Sequence, residues 1–109
     1  MVFKPILTKK DIRNIAAEFK IALKKAGIRA SKLILFGSYA GGRPHPWSDI
    51  DLCVVSAQFG RKYYDEMLRV AKLGKKVNYL IEAHPMNPRD LRSGNHPMAD
   101  EIKKRGRKI

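Results

Sequence analysis

The sequence predicts one α/β domain spanning residues 1–109, a small mixed sheet with flanking helices. Three observations carry this. Helix-period and strand-period segments alternate along the chain, 109 residues leave no length for a second domain, and no stretch repeats or falls into low complexity. A domain of this size buries about two-thirds of its unfolded surface, enough for one core.

The first helix is predicted over Thr8 to Ala26. Ile12, Ile15, Ala16, Phe19, Ala22, Leu23 and Ala26 recur at helical spacing and form one apolar face. Thr8 can cap its first turn, Asp11 complements its dipole, and Gly27 suits a left-handed stop. Lys32 to Phe36 is a β-branched and aliphatic run read as the first strand. Ser38 to Gly42 reads as a tight turn into a short helix. Arg43 to Ser48, with Pro44, Pro46 and Trp47, reads as a loop.

Ile50 to Val55 is nearly all apolar and reads as a strand buried on most of both faces. Arg61 to Gly74 is predicted as a helix stopped by Gly74, and Val77 to Ala83 as a third strand. His84 to Asn95 carries Pro85, Pro88 and Gly94 and reads as a loop. Residues 98–109 read as a short helix, Met98 to Arg105, and a basic tail.

Composition narrows the possible roles. Hydrophobic residues make up 44% and charged residues 30%, which excludes a disordered tail. No apolar run approaches the roughly 20 residues that span a bilayer, and the first 14 residues lack a leader-type apolar core. Cys53 is the single cysteine, so neither an internal disulfide nor a four-cysteine zinc site can form. A cytoplasmic location is expected. Twenty-three Lys and Arg against ten Asp and Glu give a net charge of +13, which favours phosphate-bearing or acidic partners.

One stretch does not read as packing. Phe36-Gly37-Ser38-Tyr39-Ala40-Gly41-Gly42 is followed, five residues later, by Ser48-Asp49-Ile50-Asp51-Leu52. Asp49 and Asp51, two apart at the start of a strand, project from the same face. Their charges repel, and a divalent cation resolves the conflict; Mg²⁺ in particular is held by one or two carboxylates plus substrate phosphates. Upstream, Gly37 permits close approach of a ligand to the backbone, and Ser38 adds a hydroxyl for a phosphate oxygen. Arg43 offers a bidentate phosphate contact, while Ser48 fixes the turn before Asp49 and is a further phosphate-side candidate. Trp47 is placed to anchor the loop or stack on a base. Cys53 reads as inert core, and His45, His84 and His96 as scattered loop residues without metal-site spacing.

The string GSYAGG…SDIDLCVV resembles the fingerprint of the DNA polymerase β nucleotidyltransferase superfamily, and the chain's size resembles its minimal members. The similarity covers nearly the whole chain, through IEAHP and ADEIKKRG. The resemblance implies a polymerase β-like nucleotidyltransferase fold, with transfer of a nucleoside monophosphate, AMP from ATP, to an acceptor hydroxyl. It implies Mg²⁺ or Mn²⁺ on Asp49 and Asp51, with a third carboxylate that both binds metal and activates the acceptor. Glu82 is the expected third acid. Asn78 is the alternative position, and there the general base would be missing.

The resemblance also implies an antitoxin acting on a small helical HEPN-type protein partner. Two other readings stand beside it: a non-catalytic nucleotide-binding module that masks its partner, and a nucleotidyltransferase that modifies nucleic acid. Nucleic-acid binding is expected to be weak and non-specific, because no aromatics are interleaved with the basic residues.

Overall fold

The computed structural model describes residues 6–109; Met1–Pro5, part of the stretch read above for a leader, lie outside it. The first helix, α1 (Lys9–Lys25), starts where its cap dictates. Thr8 Oγ1 accepts from Asp11 N–H at 3.1 Å, and Asp11 Oδ2 accepts from Thr8 N–H at 2.8 Å, a reciprocal capping box. That bond holds the Asp11 carboxyl below its ordinary value. At the other end the Arg69 guanidinium donates to the Ala26 carbonyl, and Gly27 takes the left-handed φ of 81°.

The strands β1 (Lys32–Phe36) and β2 (Ile50–Val55) form where the sequence predicts and pair antiparallel, Phe36 opposite Asp51. Between them lie a single helical turn, α2 (Gly37–Ala40), and the predicted proline loop. The next helix differs from expectation. It begins at Tyr63 because Glu66 accepts from the N–H groups of Gly60, Arg61 and Lys62, satisfying donors ahead of the first turn. It then runs through Gly74 to Val77 as α3 (Tyr63–Val77). Gly74 is an interior glycine, since a Cβ there would stand 2.7 Å from Ile81 Cγ2. Close packing against the sheet, not helix termination, explains it.

The third strand is displaced accordingly. Asn78 caps α3, and its Oδ1 accepts from Leu80 N–H at 2.9 Å, so residues 78–80 form a turn. The strand β3 is Ile81–Met86, parallel to β2 with Glu82 beside Asp51. His84 is therefore a strand residue. The predicted loop, whose Pro85 instead lies in β3, contains α4 (Pro88–Ser93), which Pro88 and Gly94 punctuate. Asn87 caps its start, Pro88 occupies the first turn, and Gly94 closes it at φ 78°. After α5 (Ala99–Arg105), the expected tail adds β4 (Arg107–Lys108) antiparallel to β1.

Sheet order is β3-β2-β1-β4. One face packs Phe19 and Leu23 of α1 and Val70 of α3 on Leu33, Leu35, Ile50, Leu52 and Val54. The other is smaller, with Ile34, Phe36, Cys53, Val55 and Met86 under Leu91 of α4 and Ile102 of α5. No helix among the described residues is long and apolar enough to cross a membrane.

Candidate active site

Topology converges several elements at one end of the sheet. Because β1 runs antiparallel to β2, its last residue lies opposite Asp51, and the chain then turns at Gly37 beside that carboxylate. Gly37 has φ 73°, and a Cβ there would overlap Asp51 Oδ2. Both the backbone conformation and the close approach require glycine. Because β3 is parallel to β2 in register, Glu82 sits next to Asp51 on the same face.

Alternation along β2 buries Ile50, Leu52 and Val54 against α1 and α3 and sends Asp51 to the opposite face, half-buried. Asp49, just before the strand, is exposed. The Asp51 carboxyl is pushed up to about 6, first by burial, then by the charges of Asp49, Glu82 and Glu101. Three other carboxyl groups thus act on Asp51.

One of them is held in an ion pair. Glu82 Oε1 is 2.9 Å from Lys75 Nζ, a half-exposed ion pair, and the same ammonium donates to the Tyr79 carbonyl. Glu101 lines an adjoining cleft of about 570 Å³ with Gly37, Ser38, Gly41, Arg43 and Arg105. Among the described residues, no three His, Cys, Asp or Glu side chains are gathered closely enough to hold a metal ion. In this conformation Asp49 and Asp51 present a pair, with Glu82 turned toward Lys75.

The sequence-predicted residues separate into groups. Gly37, Ser38 and Arg43 line the cleft, while Asp49, Asp51 and Glu82 meet at the sheet end beside it. Ser48 is buried, and its Oγ accepts from His45 N–H at 2.8 Å; it fixes the turn that delivers Asp49 and does not line the cleft. Asn78, the alternative third position, lies in the turn before β3. Trp47 stands exposed in the loop. Sequence reasoning missed Glu101 and Arg105, which it places only in the short last helix. Their spacing of four on a short helix puts them on one flank, but only the packing of α5 brings that flank to the cleft.

Below the carboxylates the chain is closely packed. Cys53 is fully buried, and burial pushes its thiol up to about 12, which makes it inert. His84 stacks obliquely on Phe36 at 5.6 Å; burial holds its imidazole below the ordinary value, against the opposing pull of Glu82.

Comparison with known proteins gives a consistent picture. The sequence model of the nucleotidyltransferase domain matches residues 12–108. A protein of Methanocaldococcus jannaschii, provisionally named a protein adenylyltransferase, is 36% identical over 90 residues. That alignment takes in 78% of this chain and 61% of the relative, so the chain spans less than two-thirds of the relative's length. Among solved structures, a toxin–antitoxin protein crystallised with AMP-PNP superposes with a TM-score of 0.57 at 20% identity, covering 84% of this chain and 69% of that one. A protein from Sulfolobus solfataricus, provisionally described as a nucleotidyltransferase, gives 0.52 at 18% identity, covering 80% and 82%. At these identities the two structures establish a shared fold.

Proposed function

Because the chain belongs to the nucleotidyltransferase domain family, we propose that it moves a nucleoside monophosphate, AMP from ATP, onto an acceptor hydroxyl in the cytoplasm. The observation that carries this reading is the crowding at Asp51. Its carboxyl is surrounded by the charges of three others and adjoins a cleft holding two arginines and a serine. Hard oxygen donors with unrelieved negative charge fit Mg²⁺ or Mn²⁺. Asp49 and Asp51 would hold the ion, and Glu82 would join them on leaving Lys75. When bound, the metal supplies Lewis-acid neutralisation of the triphosphate.

The protein's own groups do the rest. Arg43 and Arg105 neutralise the outer phosphates, and the Ser38 hydroxyl donates to a phosphate oxygen beside the open backbone of Gly37. The acceptor oxygen bonds to the α-phosphorus while the bond to the bridging oxygen breaks and pyrophosphate leaves. The acceptor's proton passes to the Glu82 carboxylate. Positioning and charge account for most of the rate in such a transfer.

A protein acceptor, specifically a HEPN-type helical partner with this chain as antitoxin, is supported by two likenesses. The archaeal relative bears a protein adenylyltransferase name, and one structural neighbour is a toxin–antitoxin protein crystallised with AMP-PNP. The Lys75–Glu82 ion pair favours a second reading, a module that binds nucleotide and masks its partner without transfer. Incubation of the co-purified pair with α-labelled ATP and Mg²⁺ separates the two. Label is expected on the partner, and Asp49→Asn with Asp51→Asn should lower its appearance about a thousandfold, ~4 kcal/mol of barrier. Glu82→Gln should still bind ATP yet fail to transfer. Normal ATP binding by the wild type with no label on any partner would establish the masking module instead.

A further inference from the structure

Two grooves follow the outer flank of α1 and the edge made by β4; the second reaches Tyr39, Gly42 and Pro44 beside the phosphate cleft, but none of the groups assigned to the proposed transfer lines either. The first, about 620 Å³, is rimmed by Lys20, Lys24, Arg29, Lys32 and Lys108 over a floor that includes Leu23 and Leu33. The second, about 760 Å³, adds Lys9, Arg13 and Arg107 around Ile12 and Leu35. They share Lys20, Lys108 and Ile109 and so form one trough. No Asp or Glu lines either groove, and every one of these cations is exposed.

Helix geometry explains the segregation. Lys9, Arg13, Lys20 and Lys24 fall in one stripe along α1, while Asp11 and Glu18 lie roughly 140–160° around the helix from Arg13. Eight like charges gathered without a counter-charge repel one another, and a negatively charged occupant removes that cost.

The floor decides which polyanion fits. A nucleic-acid backbone would answer the rims but leave the partly exposed Leu7 and Ile109 wet, and its bases need flat rings for stacking. Among the described residues Tyr39 is the single aromatic lining the trough, half-buried, with its hydroxyl accepting from Leu7 N–H at 3.2 Å. An amphipathic helix with carboxylates along its flanks and aliphatic residues on its inner face matches both rims and floor. We propose that this trough docks an acidic amphipathic helix of a protein partner. The inference deepens, and rests on, the reading that the acceptor is a protein, and it assigns that partner's anchoring contact to residues other than those of the proposed transfer.

Fluorescence anisotropy at about 150 mM salt tests this. The probe is a labelled peptide of about 18 residues with Glu on one helical face and Leu on the other, beside its scrambled isomer and a short single-stranded RNA. The patterned peptide should bind at least tenfold more tightly than the scrambled one. Lys20→Glu with Lys24→Glu should weaken it at least tenfold while leaving ATP binding and Tm unchanged, which guards against simple misfolding. Asp49→Asn with Asp51→Asn should bind the peptide normally, so a failed transfer assay and a failed docking assay remain distinct. Equal binding of the scrambled peptide, or no effect of the charge reversals, would overturn the proposal. So would RNA outcompeting the peptide at the same residues, or wild-type self-association abolished by the reversals, which would assign the trough to RNA or to a second copy.

Discussion

The two faces of the sheet are built from the same four strands and do different work. The face under α1 and α3 is continuous hydrocarbon, from Phe19 and Leu23 through Leu52 to Val70. The face under α4 and α5 has a small apolar cluster, and its open end carries Asp51, Glu82 and the nearby Glu101. One residue of register separates them, because neighbours on β2 point to opposite sides. Stability and the proposed chemistry are therefore divided at single-residue spacing, and each face can be altered with limited cost to the other.

The sharpest way to break the comparison is Phe19→Ala. The ring is fully buried, and its loss should cost about 3–5 kcal/mol of unfolding free energy, measured by urea denaturation. Below the transition, ATP binding should persist; loss of binding in protein that is still folded would show that the faces are coupled. Gly74→Ala is a smaller test on the same face. Alanine gains about 1 kcal/mol of helix propensity, but the new methyl meets the buried, stiff Ile81 side chain, and such overpacking costs about 1–3 kcal/mol. Net destabilisation of about 1 kcal/mol is expected, and a stabilised variant would mean that the α3–β3 contact is looser than it stands here.

The other face should respond with the opposite sign. The Asp51 carboxyl is pushed up from 3.8 to about 6, so between those values the folded chain binds more protons than the unfolded one. Metal-free stability should therefore fall as pH rises through that window. Asp51→Asn removes the fall. At pH 7 it should stabilise the metal-free protein by about 1 kcal/mol, after discounting for the half-exposed position, while lowering the proposed transfer. Tm measured at pH 4 and pH 7 for both proteins checks the sign, and a variant less stable than wild type at pH 7 refutes it.

How much the sequence disclosed follows the same division. β1 and β2 stand at their predicted limits because apolar runs bounded by glycine and turn residues leave little choice. α1 was legible from its cap and its stripe. Gly74 misled, since a glycine inside a helix reads as a terminator until the strand packed against it is known. That error moved β3 toward the N-terminus and placed Asn78 on it, whereas Asn78 belongs to the turn. Pro88 and Gly94 read as loop although they sit at the first turn and the C-cap of α4, and Pro85 read as loop although it lies in β3. At the site, Gly37, Ser38, Asp49 and Asp51 were visible because spacing within one strand–turn–strand unit defines them. Glu101, Arg105 and the Lys75 hold on Glu82 were not, since each depends on where a distant helix comes to rest.

Cys53 gives this division a practical consequence. It is the chain's only cysteine and is fully buried two residues beyond Asp51, on the same side of β2. A thiol reagent can reach it only when the sheet beneath the carboxylates opens, so the labelling rate counts those openings. A nucleotide bound to the closed form makes openings rarer by the factor 1 + [L]/Kd and slows labelling in the same proportion. The unaltered protein thus contains its own clock for occupancy, one that needs no acceptor, no turnover and no introduced probe.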